Sequence, residues 1–175
     1  MDLKEYIRSI PDYPKKGILF RDITTLIKNE KAFAECINQI VEKSKNYQFD
    51  KIAAIESRGF VFASAVSYIL KKPFIMLRKK NKLPADVHSV DFELEYGTAT
   101  IEVHKDSINE NENVLIIDDL IATGGTAEAA AKLIEISKGK VSAFIFVINL
   151  FDLGGNDSLL KKNYKVENLI EFPGH

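Results

Sequence analysis

Four short apolar runs stand out along the chain: Lys51 to Ile55, Phe74 to Leu77, Val114 to Ile117 and Val141 to Leu150. Each is too continuous for a strand with one solvated face, so each reads as a strand buried on both faces. Helical patterns fall between them. Phe33, Ile37, Ile40 and Val41 share one helical face. Phe60 to Leu70 is helical and apolar almost all round, which predicts a helix buried inside the domain. Ala127, Ala130, Ala131 and Ile134 form a narrow stripe of small residues suited to close packing on a sheet. Strands alternating with helices predict an α/β fold, with a mainly parallel central sheet flanked by helices.

Two regions break the alternation. Met1 to Ile27 holds two prolines, a glycine and one short amphipathic helix. Lys79 to Val103 contains Pro84, Gly97 and the alternating Phe92, Leu94 and Tyr96, the pattern of a mobile hairpin or flap. Asn109 to Asn113 reads as a solvated loop. No repeat of 20 to 50 residues is present, so 175 residues make one domain.

Composition narrows the class. Lys plus Arg total 24 and Asp plus Glu total 25, for a net charge of -1. A nucleic-acid or membrane-surface protein is usually more basic, so neither partner is expected. Cys36 is the single cysteine, which excludes an intrachain disulfide and fits a reducing compartment. It lies on the helix face with Ile40 and reads as core. No signal peptide and no apolar run long enough to cross a bilayer is evident, and the expectation is a cytoplasmic protein. His88, His104 and His175 lack metal-ligand spacing.

In open α/β sheets, ligands bind beyond the carboxyl ends of the strands. The chemistry is densest in Val114-Leu115-Ile116-Ile117-Asp118-Asp119-Leu120-Ile121-Ala122-Thr123-Gly124-Gly125-Thr126-Ala127. Buried strand residues end in two carboxylates, a turn with two Thr and two Gly follows, and a helix begins. Unpaired amides at a helix start favour an anion, and the Thr hydroxyls add donors. This is a phosphate cup. It lacks the Gly-Lys-Ser/Thr ending of a Walker loop, and the chain has no GxGxxG. Two acids beside a phosphate cup make sense if they meet hydroxyls or a hydrated divalent cation, so a sugar phosphate satisfies every group. A helix cap with an exposed acidic turn is the plainer alternative.

The segment resembles the phosphoribosyl-pyrophosphate motif of type I phosphoribosyltransferases. Phe20-Arg21-Asp22-Ile23, Glu56-Ser57-Arg58-Gly59-Phe60, Leu94-Glu95-Tyr96-Gly97 and the basic Arg78-Lys79-Lys80-Asn81-Lys82-Leu83-Pro84 narrow the resemblance to the adenine phosphoribosyltransferase family. The likeness runs in order from about Pro11 to Leu150 and implies a single phosphoribosyltransferase domain over residues 1–175. Residues 1–30 would form a small N-terminal hood contributing to the base site, and residues 79–103 a flexible lid. The implied reaction joins adenine and phosphoribosyl pyrophosphate into AMP and pyrophosphate, with Mg²⁺ held through substrate and water and no direct protein ligand. A homodimer is the family expectation.

The resemblance also implies roles. Asp118, Asp119, Ala122, Thr123, Gly124, Gly125 and Thr126 would hold the ribose and its 5′-phosphate. Ser57, Arg58, Arg78, Lys79 and Lys82 would meet the pyrophosphate, with a cis peptide at Glu56–Ser57. Glu56 stands where the family commonly has Asp. Leu19, Phe20 and Arg21 would bind adenine, with Phe20 stacking on the ring. Arg58 and Glu95 would be catalytic, Glu95 as general acid/base toward the purine imidazole ring. Tyr96 would close the lid. Read without the family, Glu95 is an ordinary exposed strand residue. The competing functions are a sister transferase for xanthine or hypoxanthine, and a non-catalytic sensor of the sugar pyrophosphate.

Overall fold

The computed structural model describes residues 1–94 and 97–175. After a 3-10 turn at Leu3–Tyr6, strands β1 (Arg8–Pro11) and β2 (Leu19–Asp22) make a two-stranded antiparallel sheet. Helix α1 (Thr24–Ile27) is a single turn, and α2 (Glu30–Ser44) follows Asn29, whose side chain accepts from the Ala32 amide at 3.0 Å. The main sheet then starts, with β3 (Lys51–Ile55), α3 (Arg58–Leu70), β4 (Phe74–Lys79), β5 (Val87–Leu94) and β6 (Gly97–His104). It is completed by β7 (Asn113–Ile121), α4 (Gly125–Ile136), β8 (Lys140–Leu150), α5 (Gly155–Lys161) and β9 (Val166–Phe172).

The seven strands lie in the order β5-β6-β4-β3-β7-β8-β9. Strands β4, β3, β7, β8 and β9 are parallel, and the β5–β6 hairpin adds an antiparallel edge through β6. The four apolar runs are thus the four central strands, and β3, β7 and β8 are buried on both faces. Ile52 and Ala54 of β3, with Leu115 and Ile117 of β7, face α2 and α3. Ala53, Ile55, Val114 and Ile116 face α4 and α5. The small-residue stripe of α4 is fully covered, with Ala130, Ala131 and Ile134 at 0% exposure. Cys36 lies in the α2 core, and burial pushes its thiol up to about 12, so it is inert at neutral pH.

Three sequence expectations need correction. Helix α3 is not enclosed all round: Phe62, Ala63 and Val66 are buried, but Val61, Tyr68 and Ile69 are exposed. Apolar composition marks burial or an unfilled interface, and sequence cannot separate the two. Strand β7 does not end at Ile117. It runs on through Asp118 to Ile121, because Asp118, Leu120 and Ile121 pair with Phe146, Ile148 and Asn149 of β8. The turn is therefore shorter and centres on Ala122–Gly124. Finally, β4 is not buried on both faces, because Met76 is exposed; beyond the four runs, β9 completes the sheet as its far edge.

Candidate active site

The carboxyl ends of β3 and β7 open side by side into a cleft of about 480 Å³. Its walls are Ile55 to Arg58 on one side, the run from Asp118 to Ala127 on the other, and Lys79 at the rim. Residues Asp118, Asp119, Ala122, Thr123, Gly124, Gly125 and Thr126 therefore share one cavity with Ser57 and Arg58.

The turn expected to serve as a phosphate cup is shaped by local geometry. Gly124 takes φ +92°, a left-handed conformation that favours glycine and turns the chain from β7 into α4. The Glu128 amide then donates to the Gly124 carbonyl at 2.9 Å, closing the first helical turn. The preceding residues Gly125 to Ala127, whose amides have no helical acceptor, line the cleft.

The acid pair sits at the base. The Asp119 amide donates to the Asp118 carboxylate at 2.9 Å. Burial first, and then the Asp119 carboxylate, push the Asp118 carboxyl well above the usual range. Asp119 is 6% exposed and forms an ion pair with Arg58, Nε to Oδ2 at 2.8 Å. Arg58 lies at the start of α3 and is half-exposed, reaching over the cleft mouth. The Glu56–Ser57 peptide is cis, as the family resemblance implied.

The Glu56 side chain turns toward the end of β4. One oxygen accepts from the Lys79 amide at 2.5 Å and the other from Arg78 Nη2 at 3.2 Å. Burial alone would raise the Glu56 carboxyl; the Lys79 amide and the Arg78 guanidinium outweigh it and hold the carboxyl below its ordinary value. Arg78 thus faces Glu56, and Lys79 lines the cleft. Lys82 is exposed and does not line it.

The hood approaches from the other side. Phe20 stacks edge-on against Tyr13 at 5.1 Å, and the Arg58 guanidinium lies 5.9 Å from its ring centre. Phe20 is thereby brought toward the cleft mouth, with Leu19 preceding it on β2. The Arg21 side chain points elsewhere. It donates to Ser9 Oγ at 2.6 Å and to the Pro173 carbonyl at 3.1 Å, and lies 4.4 Å over the Phe172 ring.

A phosphoribosyl transferase domain matches residues 22–172. An adenine phosphoribosyltransferase of Pelagibacter ubique is 81% identical over 175 residues, covering 100% of both chains. The chain belongs to the adenine phosphoribosyltransferase family. Solved family structures agree. The adenine phosphoribosyltransferase of Thermoanaerobacter pseudethanolicus superposes with a TM-score of 0.94 at 46% identity, covering 98% of each chain. The Saccharomyces cerevisiae adenine phosphoribosyltransferase, solved with adenine and an imino-altritol bisphosphate, gives 0.89 at 34% identity, covering 97% of each.

Most of the 79–103 segment expected as a lid forms the β5–β6 hairpin, paired from Val87–His104 to Leu94–Gly97. Its Glu93 carbonyl comes within 3.6 Å of where a Cβ on Gly125 would lie, so the hairpin reaches the phosphate cup. Glu95 and Tyr96 lie outside the described residues. Sequence reasoning missed two contributors. Glu102 of β6 is 6% exposed and accepts from the Asn81 amide and Ser89 Oγ, both at 2.8 Å, tying the basic loop to the hairpin. The Phe172–Pro173 end covers Arg21. Neither bears a motif; a charged residue in the apolar run Thr100–Val103 was the one available signal for Glu102.

Proposed function

We infer that this protein transfers the 5-phosphoribosyl group from phosphoribosyl pyrophosphate to adenine, giving AMP and pyrophosphate in purine salvage. The observation that carries the reading is the single cleft in which a phosphate cup and an acid pair face Arg58, with Phe20 at its mouth, in a member of this family.

The bond from the ribose anomeric carbon to pyrophosphate breaks, and a bond from that carbon to an adenine ring nitrogen forms. The cup holds the 5′-phosphate, while Asp118 and Asp119 meet the ribose hydroxyls and the positive charge developing on the sugar. Arg58, Lys79 and the Ser57 loop take the charge of the departing pyrophosphate, and Arg78 and Lys82 add to the positive potential there. Such stabilisers are each worth about 3 kcal/mol in a water-poor site. Leu19, Phe20 and the Arg21 backbone receive adenine. Glu95 accepts the proton that the imidazole ring gives up, and Tyr96 closes over it.

The donor set suits a hydrated divalent cation. The Asp118 carboxyl is made costly to ionise first by burial and then by Asp119, which a cation would relieve, and among the described residues no group of three or more acidic, Cys or His side chains is placed to hold a metal directly. Asp118 and Asp119 would hold Mg²⁺ through water and substrate, where it would neutralise the pyrophosphate.

Val61, Tyr68 and Ile69 present an apolar side of α3 to solvent, and Met76 of β4 is also exposed. We assign this face to a homodimer. We also assign the protein to the cytoplasm, a reading supported by the buried free thiol of Cys36. No helix among the described residues is long and apolar enough to cross a membrane.

Product analysis with adenine, hypoxanthine and xanthine and labelled phosphoribosyl pyrophosphate tests the reading. AMP should form from adenine and be lost in Glu95→Ala. Equal turnover of a 6-oxopurine, or near-normal turnover by Glu95→Ala, overturns the assigned specificity or the assigned base, respectively.

A further inference from the structure

Helix α5 abuts the phosphate cup from behind. The Gly155 amide donates to the Ala122 carbonyl at 3.0 Å. Gly155 is buried, and a Cβ there would lie 2.5 Å from the Ala122 carbonyl oxygen, 2.8 Å from the Gly124 nitrogen and 2.9 Å from Ile121 Cγ1. Two of these three atoms are backbone of the cup itself. They cannot yield as a flexible side-chain tip could, so a methyl group at position 155 has to push the cup forward or push α5 back.

Helix α5 is poorly placed to move back. Leu159 is fully buried in the core beneath α4. Ser158 Oγ and Lys162 Nζ both donate to the Glu128 carboxylate of α4, each at 2.6 Å. Glu128 is four residues past Gly124, and its amide closes the cup's first helical turn. The cup is therefore held from two directions: α4 extends from it, and α5, clamped to α4, stands against its outer wall.

We propose that Gly155 is a positioning residue for the 5′-phosphate site. Its bare α-carbon lets α5 sit against Ala122 and Gly124 and fixes the curvature at which the Gly125 to Ala127 amides converge. The residue touches no substrate and acts only through the cup. This rests on the reading of the cup as the 5′-phosphate site.

The test compares Gly155→Ala, Glu128→Ala and Gly154→Asn with the parent protein. Gly154 has φ +83°, and no atom lies within 4 Å of the point where a Cβ on it would stand. Asparagine tolerates that backbone, so Gly154→Asn reports on α5 without touching the cup. Steady-state kinetics give KM for phosphoribosyl pyrophosphate and for adenine separately, and calorimetry with ribose 5-phosphate gives affinity for the phosphate end alone. Gly155→Ala should raise KM for phosphoribosyl pyrophosphate and weaken ribose 5-phosphate binding at least tenfold. KM for adenine should stay within twofold, and Gly154→Asn should match the parent. Glu128→Ala loosens the clamp without a clash and should shift the same two quantities about threefold. Unchanged phosphate affinity in Gly155→Ala overturns the proposal, as does a parallel loss in both substrates. If Gly155→Ala does not fold, Glu128→Ala decides on the same criterion. A parent protein that ignores ribose 5-phosphate and the pyrophosphate donor alike would instead sink the reading of the cup.

Discussion

Replacing Glu56 by glutamine isolates how the basic end of β4 is held. The carboxylate accepts from the Lys79 amide at 2.5 Å and from Arg78 Nη2 at 3.2 Å. Glutamine keeps one oxygen for the amide but turns an NH₂ group toward a guanidinium that has only donors. Arg78 is about two-thirds covered, and its buried Nε has no hydrogen-bond partner among the described residues. Losing Glu56 thus strips the guanidinium of its carboxylate where water reaches it poorly. A hydrogen bond between charged groups in such a place is worth about 1.5–3 kcal/mol. If about 1.4–2 kcal/mol of that goes into letting the strand end wander, affinity for pyrophosphate falls roughly ten- to thirtyfold.

The assay is the reverse reaction, AMP plus pyrophosphate, with KM measured for each. Glu56→Gln should raise KM for pyrophosphate by that factor and leave KM for AMP within about threefold. Arg78→Ala should be at least as impaired, since it also removes a positive charge, and the double variant should be no worse than Arg78→Ala alone, because that variant has already lost the Glu56 contact. A wild-type pyrophosphate KM in Glu56→Gln, alongside an impaired Arg78→Ala, would refute the reasoning: Arg78 would then act without its carboxylate.

Arg21→Ala removes two hydrogen bonds and a stacked ring and should cost about 2–3 kcal/mol, lowering Tm by roughly 4–12 °C in calorimetry and raising KM for adenine more than for the donor. Asp22 is held down to about 2, first by the Thr24 hydroxyl and then by Arg8. A depressed carboxyl stabilises the fold above its unfolded value near 3.8 and loses that contribution as pH falls toward 2, so Tm of the parent should drop across that window and Asp22→Asn should flatten the drop. Tyr68→Glu on the exposed side of α3 should shift light-scattering mass from two chains toward one, with Tm falling as the partner is lost.

Much of the sheet was legible because burial on both faces leaves a simple trace. Ile52–Ala53–Ala54–Ile55 and Val114–Leu115–Ile116–Ile117 have no polar residue to spare, and they became adjacent central strands. Legibility failed where one pattern serves two ends. The apolar girth of α3 marked a face left open to solvent as well as a buried one, and hydrophobicity says nothing of what covers it. Edge strand β9 is half-covered and interrupted by Glu167 and Asn168, so its alternation is weak. The cup was visible as a motif, yet the residue that backs it was not. Gly155 lies 31 positions beyond Gly124, and only the fold reveals that its missing side chain leaves room for another segment's backbone.

The Arg58–Asp119 pair shows why opposite charges can share a cleft built for an anionic donor. Asp119 is almost fully covered and would be costly to leave charged alone; Arg58, half-exposed, neutralises it at 2.8 Å. A pair with one exposed partner is weak, because solvent screens it. Its exchange is therefore easy. On the proposed roles, the donor would bring hydroxyls for Asp119 and pyrophosphate oxygens for Arg58 in one molecule, so each group would exchange one partner for another with neither left unpaired. A free phosphate offers only half of this exchange, since it satisfies Arg58 and exposes Asp119 to a like charge. The proposed exchange predicts that the cleft favours a ligand carrying both hydroxyls and phosphates. Asp119→Asn, which removes the like-charge repulsion, should narrow the gap in affinity between phosphoribosyl pyrophosphate and inorganic pyrophosphate. A gap that stays as wide in Asp119→Asn would show that the discrimination arises elsewhere.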